Sequence, residues 1–288
     1  MNLNFGSDPE FFASYSENDK DYCVPPIYFR KFLGLKPIKD DPKHPVYALT
    51  SDGVKIHQDG AAFEFTLPVF HTAKECKKLI DQGLDALNDL VSKFNYNIYT
   101  KPVIYFDPTK MYKDQDPDFK TCVSFGCDRD WDAWEYFKEG SDEINVENHP
   151  YRYGGGHWHV SGDDLISKYI LPCTKLFSLF IGNYFIANTP YPELEKIRAN
   201  RYGMPGKFRP QKYPDGTKGL EYRTPSNSWL SLSEDKINGM IEQTYKAVET
   251  LHDSNKAEYL LSTFGQKTID AIVNSNQQLA TEILGELN

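Results

Sequence analysis

What the chain is short of narrows its function before any motif is read. Basic charge is scarce: 32 Lys and Arg stand against 41 Asp and Glu, a net charge of −9. Nucleic-acid backbones and anionic bilayers both attract net positive surfaces, so no general nucleic-acid or membrane partner is expected. Cysteine is sparse too. The five, Cys23, Cys76, Cys122, Cys127 and Cys173, are odd in number and form no C-x-x-C pair. They read as free thiols in a reducing cytoplasm rather than a disulfide framework. Cys122 and Cys127 make half a metal site with no second pair to complete it. No basic segment followed by an apolar one opens the chain, so no secretory leader is expected. Uninterrupted apolar runs are missing as well: the most apolar stretch, Leu165 to Ala187, holds Lys168, Pro172, Lys175 and Asn183 and reads as a core helix. The phosphate-loop patterns G-x-x-x-x-G-K-[ST] and G-x-G-x-x-G are absent, which removes P-loop and Rossmann sites.

What is present is an ordinary globular composition, 40% apolar over 288 residues, enough to bury the core of one large domain. The first 70 residues alternate short apolar runs with Pro, Asp and Gly punctuation. From Thr72 the apolar positions Ala73, Cys76, Leu79, Ile80, Leu84, Leu87, Val91 and Phe94 fall at helical spacing, and Thr72 with Glu75 has the form of a capping box. A strand is expected at Val103 to Phe106, and the polar stretch from Asp107 to Pro150 yields no assignment. Gly154 to Ser161 reads as a tight glycine turn and a strand. A helix over Asp163 to Ala187 is expected to kink at Pro172. A short helix follows over Glu193 to Tyr202, then a basic Gly/Pro-rich loop from Arg201 to Gly219 and a strand over Leu220 to Thr224. From about residue 231 to 288 the chain reads as helical, with breaks near Ser254 and Gly265. Strands and helices do not alternate regularly, which predicts an α+β fold with a largely antiparallel sheet covered by helices, in one domain over 1–288.

Four short segments share a pattern. Side chains i and i+2 of a strand share a face, so polar pairs there stand together while the residues between them face the core. Asp8 and Glu10 flank Pro9; His157 and His159 flank Trp158; Glu221 and Arg223 flank Tyr222. In the fourth, Glu64 sits between Phe63 and Phe65, five residues after Asp59. One such pair describes a solvated outer face. Four of them would gather mutually repelling carboxylates, which hard divalent cations and an imidazole resolve. Arg198, Arg201, Lys207, Arg209, Lys212, Lys218 and Arg223 crowd into 26 residues of an otherwise acidic chain. Read blandly they are a solvated loop; read chemically they are an anion clamp, because guanidinium forks suit phosphate. Acidic metal sites beside arginines suit phosphoryl transfer.

The series Phe5-Gly6-Ser7-Asp8-Pro9-Glu10-Phe11, Asp59-Gly60-Ala61-Ala62-Phe63-Glu64, Gly156-His157-Trp158-His159-Val160-Ser161 and Gly219-Leu220-Glu221-Tyr222-Arg223-Thr224-Pro225-Ser226 resembles the phage-type carboxylate–amine (COOH.NH2) ligases of type 2. These amidoligases belong to the glutamine synthetase-like superfamily. The resemblance implies a glutamine synthetase-like curved antiparallel sheet lined with metal ligands and covered by helices. It implies ATP with Mg²⁺ or Mn²⁺, and an amide formed through an acyl phosphate. By the same resemblance Asp8, Glu10, Glu64, His157 and Glu221 would be metal ligands, with Asp8 and Glu10 on different ions. His159 would face the nucleotide phosphates, Arg209 and Arg223 the nucleotide and the transferring phosphoryl group, and Arg201 would act beside them. The first pair here is Asp-x-Glu where glutamine synthetases have Glu-x-Glu, and the chain has no room for their separate N-terminal domain, so ammonia and glutamate are not implied as substrates. Small-molecule or peptide carboxylates and amines are the expected partners, in the cytoplasm of a host cell if the chain is phage-encoded. The alternatives are a metal-dependent phosphoesterase or nuclease, and a non-catalytic virion or scaffold protein that keeps the fold.

Overall fold

The structure, a computed structural model, describes residues 2–40, 44–111, 130–134, 149–213 and 216–287. Cys122, Cys127 and most of the unassigned stretch 107–150 lie outside those residues. The fold is mixed α+β, as the order of elements implies. One sheet has five antiparallel strands in the order β1 (Asn4–Ser7), β11 (Trp158–Ser161), β13 (Lys218–Tyr222), β12 (Lys207–Lys212) and β9 (Trp131–Asp132). The second runs β10 (Tyr151–Tyr153), β8 (Val103–Tyr105), β3 (Lys20–Val24), β2 (Glu10–Glu17), β6 (Ala62–Thr66), β5 (Lys55–Asp59) and β4 (Val46–Leu49), with β7 (Asn97–Tyr99) also on β2. Its one parallel contact is Tyr22 with Tyr105, between β3 and β8.

The two sheets meet along one ribbon. From the end of β6 the chain continues beside Pro9 and β1: Phe65 N–H donates to Pro9 O at 2.9 Å, Leu67 N–H to Ser7 O at 3.0 Å and Phe70 N–H to Phe5 O at 3.0 Å. Asp8 and Pro9 lie in the gap between β1 and β2, so Asp8 and Glu10 do not share one strand as their spacing suggests. Pro9 has no N–H to give a ladder, and the chain passes from one sheet to the other there.

Alternation places the core where the sequence puts it. Trp158, Val160, Leu220 and Tyr222 are buried beneath the five-stranded sheet, and Phe11, Phe63 and Phe65 beneath the other. Trp158 packs edge-on against Trp229 with centroids 5.1 Å apart, and its indole N–H donates to Thr244 Oγ1 at 3.1 Å. A buried aromatic of this size contributes about 3 kcal/mol through burial.

The helices are α1 (Pro26–Phe32), α2 (Ala73–Val91), α3 (Pro108–Met111), α4 (Asp164–Lys168), α5 (Ile170–Phe177), α6 (Asn183–Asn188), α7 (Pro192–Ala199), α8 (Glu234–Leu251), α9 (Ser254–Val273) and α10 (Gln277–Leu287). The capping box at α2 is formed: Thr72 Oγ1 accepts from Glu75 N–H, and Glu75 Oε2 from Thr72 N–H, both at 3.2 Å. Three expectations fail locally. The helix over Asp163 to Ala187 breaks at Tyr169 (φ −118°, ψ 50°), not at Pro172. A proline ring clashes with the carbonyl four residues back, so the chain restarts at Ile170 and holds Pro172 in a first turn. A π-helical turn over Ser178–Gly182 joins α5 to α6.

The C-terminal helices break at Asp253 and at residues 274–276, not at Gly265, which lies inside α9. A Cβ on Gly265 would stand 3.2 Å from the Trp134 indole, so this glycine serves close packing. The basic stretch 201–219 is not one loop, because it contains β12. Among the described residues β9 pairs only with Lys207 and Phe208, so Pro210 has no ladder partner on that side, a position that tolerates proline. Among the described residues one helix, Ile170–Asn188, is long and apolar enough to cross a membrane, and most of it is buried inside the protein. Cys23, Cys76 and Cys173 are free and buried, and burial pushes the Cys23 thiol up to about 12.

Candidate functional site

The sheet junction gathers the polar pairs into two clusters. In the first, register sets Gly6, His159, Glu221 and Arg209 side by side across four strands, from β1 through β11 and β13 to β12. Asp8 reaches in from the sheet junction. Its Oδ1 lies 2.9 Å from His157 Nδ1 and 3.1 Å from His159 Nε2, and His157 Nδ1 lies 3.4 Å from Glu221 Oε1. Arg223 leaves the end of β13 and folds back, so Nη1 pairs with Glu221 Oε1 and sits 3.2 Å from His157 Nδ1. Its Nε pairs with Asp130 at 2.7 Å. Arg209 Nη1 lies 4.0 Å from Glu221, and Gln211, two residues on, donates to the same carboxylate.

The second cluster lies across the ribbon. Glu10 on β2 and Glu64 on β6 are direct cross-strand partners, and Asp59 ends the neighbouring β5. Like charges placed directly opposite destabilise a sheet unless something stands between them. Glu10 accepts the Gly155 N–H at 2.7 Å. The three glycines 154–156 do not make a tight turn with positive φ. They allow close approach: a Cβ on Gly155 would stand 2.5 Å from His157 Nε2. In each cluster one ligand atom per residue, from Asp8, His157 and Glu221 or from Glu10, Asp59 and Glu64, lies within 4.8 Å of the others.

The clusters differ in charge balance. Burial pushes the Asp8 carboxyl up, but the imidazoles of His159 and His157 outweigh it and hold Asp8 well below its ordinary value. Burial likewise raises Glu221, but the Arg223 guanidinium together with the His157 and His159 imidazoles outweighs it, so Glu221 is lowered. His159 is raised: burial opposes its charge, and Asp8 favours it more strongly. In the other cluster burial raises Glu64, and Asp8, Asp59 and Glu10 raise it further, to well above the ordinary glutamate value. Glu10 is raised mainly by burial. His57 faces Glu64 at 3.5 Å, but burial lowers its pKa, so it is neutral near pH 7 and supplies no counter-charge.

A cleft of about 640 Å³ opens beside both clusters. Asp8, Glu64 and His159 form its polar end, Leu67 and Val69 contribute an apolar wall, and His44, His57 and Tyr213 contribute rings. Ser7 Oγ, buried on this wall, has no hydrogen-bond partner among the described residues.

Of the residues singled out in the sequence, Asp8, Glu10, Glu64, His157, His159, Arg209, Glu221 and Arg223 meet here. Arg201 does not. It is exposed on the turn after α7, where its charge acts on Tyr153 and His149. The rest of the basic run also disperses: Arg198 is buried and donates to Thr224 O and Pro225 O, and Lys207 pairs with Asp132 at 3.1 Å. Sequence reading passed over Asp130, Gln211 and Tyr202. Asp130 and Asp132 are themselves an i, i+2 pair around Trp131, so the same criterion could have found them. Gln211 shares a strand face with Arg209. Tyr202 carries no local signal.

No protein-family model matches the chain, and no curated protein does. Among solved structures it is similar to a cryo-EM structure of Plasmodium falciparum glutamine synthetase, at 12% identity and a TM-score of 0.46 over 86% of this chain and 52% of that one. The chain therefore spans about half the length of that relative.

Proposed function

We propose that the chain is an ATP- and divalent-metal-dependent ligase that joins a carboxylate to an amine through an acyl phosphate. The observation that carries this reading is the pairing of two carboxylate clusters, one balanced by His157, His159 and Arg223 and one holding Glu10, Asp59 and Glu64 against each other, at the mouth of one cleft. The donors fit Mg²⁺ or Mn²⁺, since carboxylate oxygens with at most one imidazole suit hard cations. Asp8, His157 and Glu221 would hold one ion, and Glu10, Asp59 and Glu64 the other. Bound there, the ions supply charge neutralisation for phosphate oxygens that the protein's few cations do not.

The chain's own residues then have definite tasks. Arg223 and Arg209, already beside Glu221, stabilise charge on the phosphoryl group in transfer. His159 presents Nε2 at the polar end of the cleft, and Leu67 and Val69 give a nucleoside an apolar wall there, with the unsatisfied Ser7 hydroxyl as a hydrogen-bond partner. The carboxylate oxygen bonds to the γ-phosphorus as ADP leaves. The amine nitrogen then bonds to the carbonyl carbon as inorganic phosphate leaves, and the nitrogen gives up a proton. No side chain acts as a nucleophile; orientation and fixed charge provide the catalysis. Arg201, being exposed, is assigned at most to a substrate that reaches past the clusters.

The test is to incubate the protein with ATP, Mg²⁺ and pools of carboxylates and amines, and to follow ADP and phosphate. ADP release that needs both substrates supports the reading. Cleavage of nucleic acid without ATP would replace it with a two-metal hydrolase, and absence of both metal and ATP binding would leave a scaffold.

A further inference from the structure

We propose that Tyr202 is a positioning residue that ties the two cation sites together. Its hydroxyl holds the His157 ring with Nε2 protonated and Nδ1 free to act as a donor atom, and extends the same hydrogen-bond chain to Glu10. This inference rests on the metal-centre reading given above.

The Tyr202 hydroxyl meets, among the described residues, His157 Nε2 at 2.7 Å, Arg223 Nη2 at 2.9 Å and Glu10 Oε1 at 3.4 Å. A phenol has one hydrogen to give and two lone pairs to receive. Arg223 can only donate, and an ionised Glu10 can only accept. If the Tyr202 hydrogen goes to Glu10, then His157 must donate from Nε2, and these three contacts at the hydroxyl are all satisfied. If it goes to His157 instead, the hydroxyl turns only lone pairs toward the Glu10 carboxylate. The first arrangement leaves Nδ1 unprotonated in a neutral ring, and Nδ1 is the atom facing Asp8 and Glu221. A metal-binding histidine commonly has its other ring N–H fixed by a partner in this way, and losing that partner weakens metal binding about 10- to 100-fold. The Tyr202 hydroxyl thus touches a proposed ligand of each cluster and the Arg223 guanidinium.

The position is built rather than incidental. Tyr202 N–H donates to Arg198 O at 2.8 Å, and the buried Arg198 guanidinium lies 4.7 Å from the ring centroid, so ring and backbone are both held. Gly155 makes room for it, since a Cβ there would stand 3.0 Å from the hydroxyl.

Tyr202→Phe removes the hydroxyl and keeps the ring against Arg198. Two measurements on the full chain test the inference. Calorimetric titration with Mn²⁺ alone, without nucleotide, should show affinity reduced about 10- to 100-fold in the variant, with its unfolding temperature near that of the wild type. Nitrogen-15 NMR of the histidine rings in the Mg²⁺-loaded wild type should show His157 protonated at Nε2 and not at Nδ1. Unchanged Mn²⁺ affinity in a folded variant overturns the role of Tyr202 while leaving the metal centre standing. A wild-type His157 protonated at Nδ1 overturns it even if the variant does not fold. A wild type that binds no Mn²⁺ overturns both this inference and the reading beneath it.

Discussion

The two clusters begin two residues apart, at Asp8 and Glu10, and their carboxyls are shifted in opposite directions. Around Asp8 and Glu221 the protein supplies its own cations, and both carboxyls are held below their ordinary values. Around Glu10 and Glu64 both carboxyls are raised, Glu10 mainly by burial and Glu64 by burial reinforced by the repulsion of Asp8, Asp59 and Glu10. The first cluster is therefore stable as folded. The second is a set of carboxylates held together by the register of β2, β5 and β6, and on the proposed reading a bound cation supplies its stabilising charge. Buried charges that lack partners inside the fold are costly, and they persist where they do chemistry.

Neutralising one carboxylate in each cluster is the strongest way to separate them. Glu221→Gln removes one carboxylate from the buried Arg223 and leaves it Asp130, and breaking one side of a buried pair of this kind costs up to about 3 kcal/mol. Chemical denaturation of the metal-free protein should show that loss. Glu64→Gln should act in the opposite direction, raising the stability of the metal-free protein by up to about 1 kcal/mol through relief of cross-strand repulsion. Equal destabilisation by both would break the distinction. Both variants should lose the proposed ligase activity.

How far the sequence alone reached follows the same division. The i, i+2 pairs and the buried residues between them were legible because strand periodicity is local, and so was the Thr72–Glu75 capping box. The partnership of Glu10 with Glu64 was not, since it depends on which strands pair across more than fifty intervening residues. Arg201 and Arg209 looked equivalent in a basic run. Only the pairing of β12 with β13 carries Arg209 to Glu221 and leaves Arg201 outside. Tyr202 and the break at Tyr169 are consequences of packing around Arg198 and Pro172 that no spacing announces.

pH gives a smaller and separable effect. Glu64 is raised in the folded state, so above the ordinary glutamate pKa the folded protein binds more protons than the unfolded chain, and its stability falls as pH rises. Asp8 and Glu221 are lowered and contribute the reverse, stability that is lost as pH falls below the ordinary carboxylate range. Thermal melts of the metal-free protein should thus decline on both sides of a mildly acidic optimum. Saturating Mg²⁺ should remove the decline on the alkaline side. A melt that rises steadily from pH 5 to 8 without metal would show that Glu64 carries no such strain.

The smallest expected effect is at His57. Being neutral, it compensates Glu64 little, so His57→Asn should change metal-free stability by less than about 1 kcal/mol and Mn²⁺ affinity by less than about tenfold. His157→Asn, by removing a proposed ligand, should weaken binding by at least that much, and comparing the two titrations tests which histidine belongs to the centre.

The most direct test is to titrate the metal-free protein with Mn²⁺ in a calorimeter at pH 7, in buffers of different ionisation enthalpy. Two ions per chain are predicted. A cation beside the raised Glu64 carboxyl lowers its affinity for a proton, so proton release to the buffer should accompany binding. In Glu64→Gln one tight ion should remain and that release should diminish. Binding of no ion, or of two ions in the Glu64→Gln variant with unchanged affinity and proton release, would contradict the account.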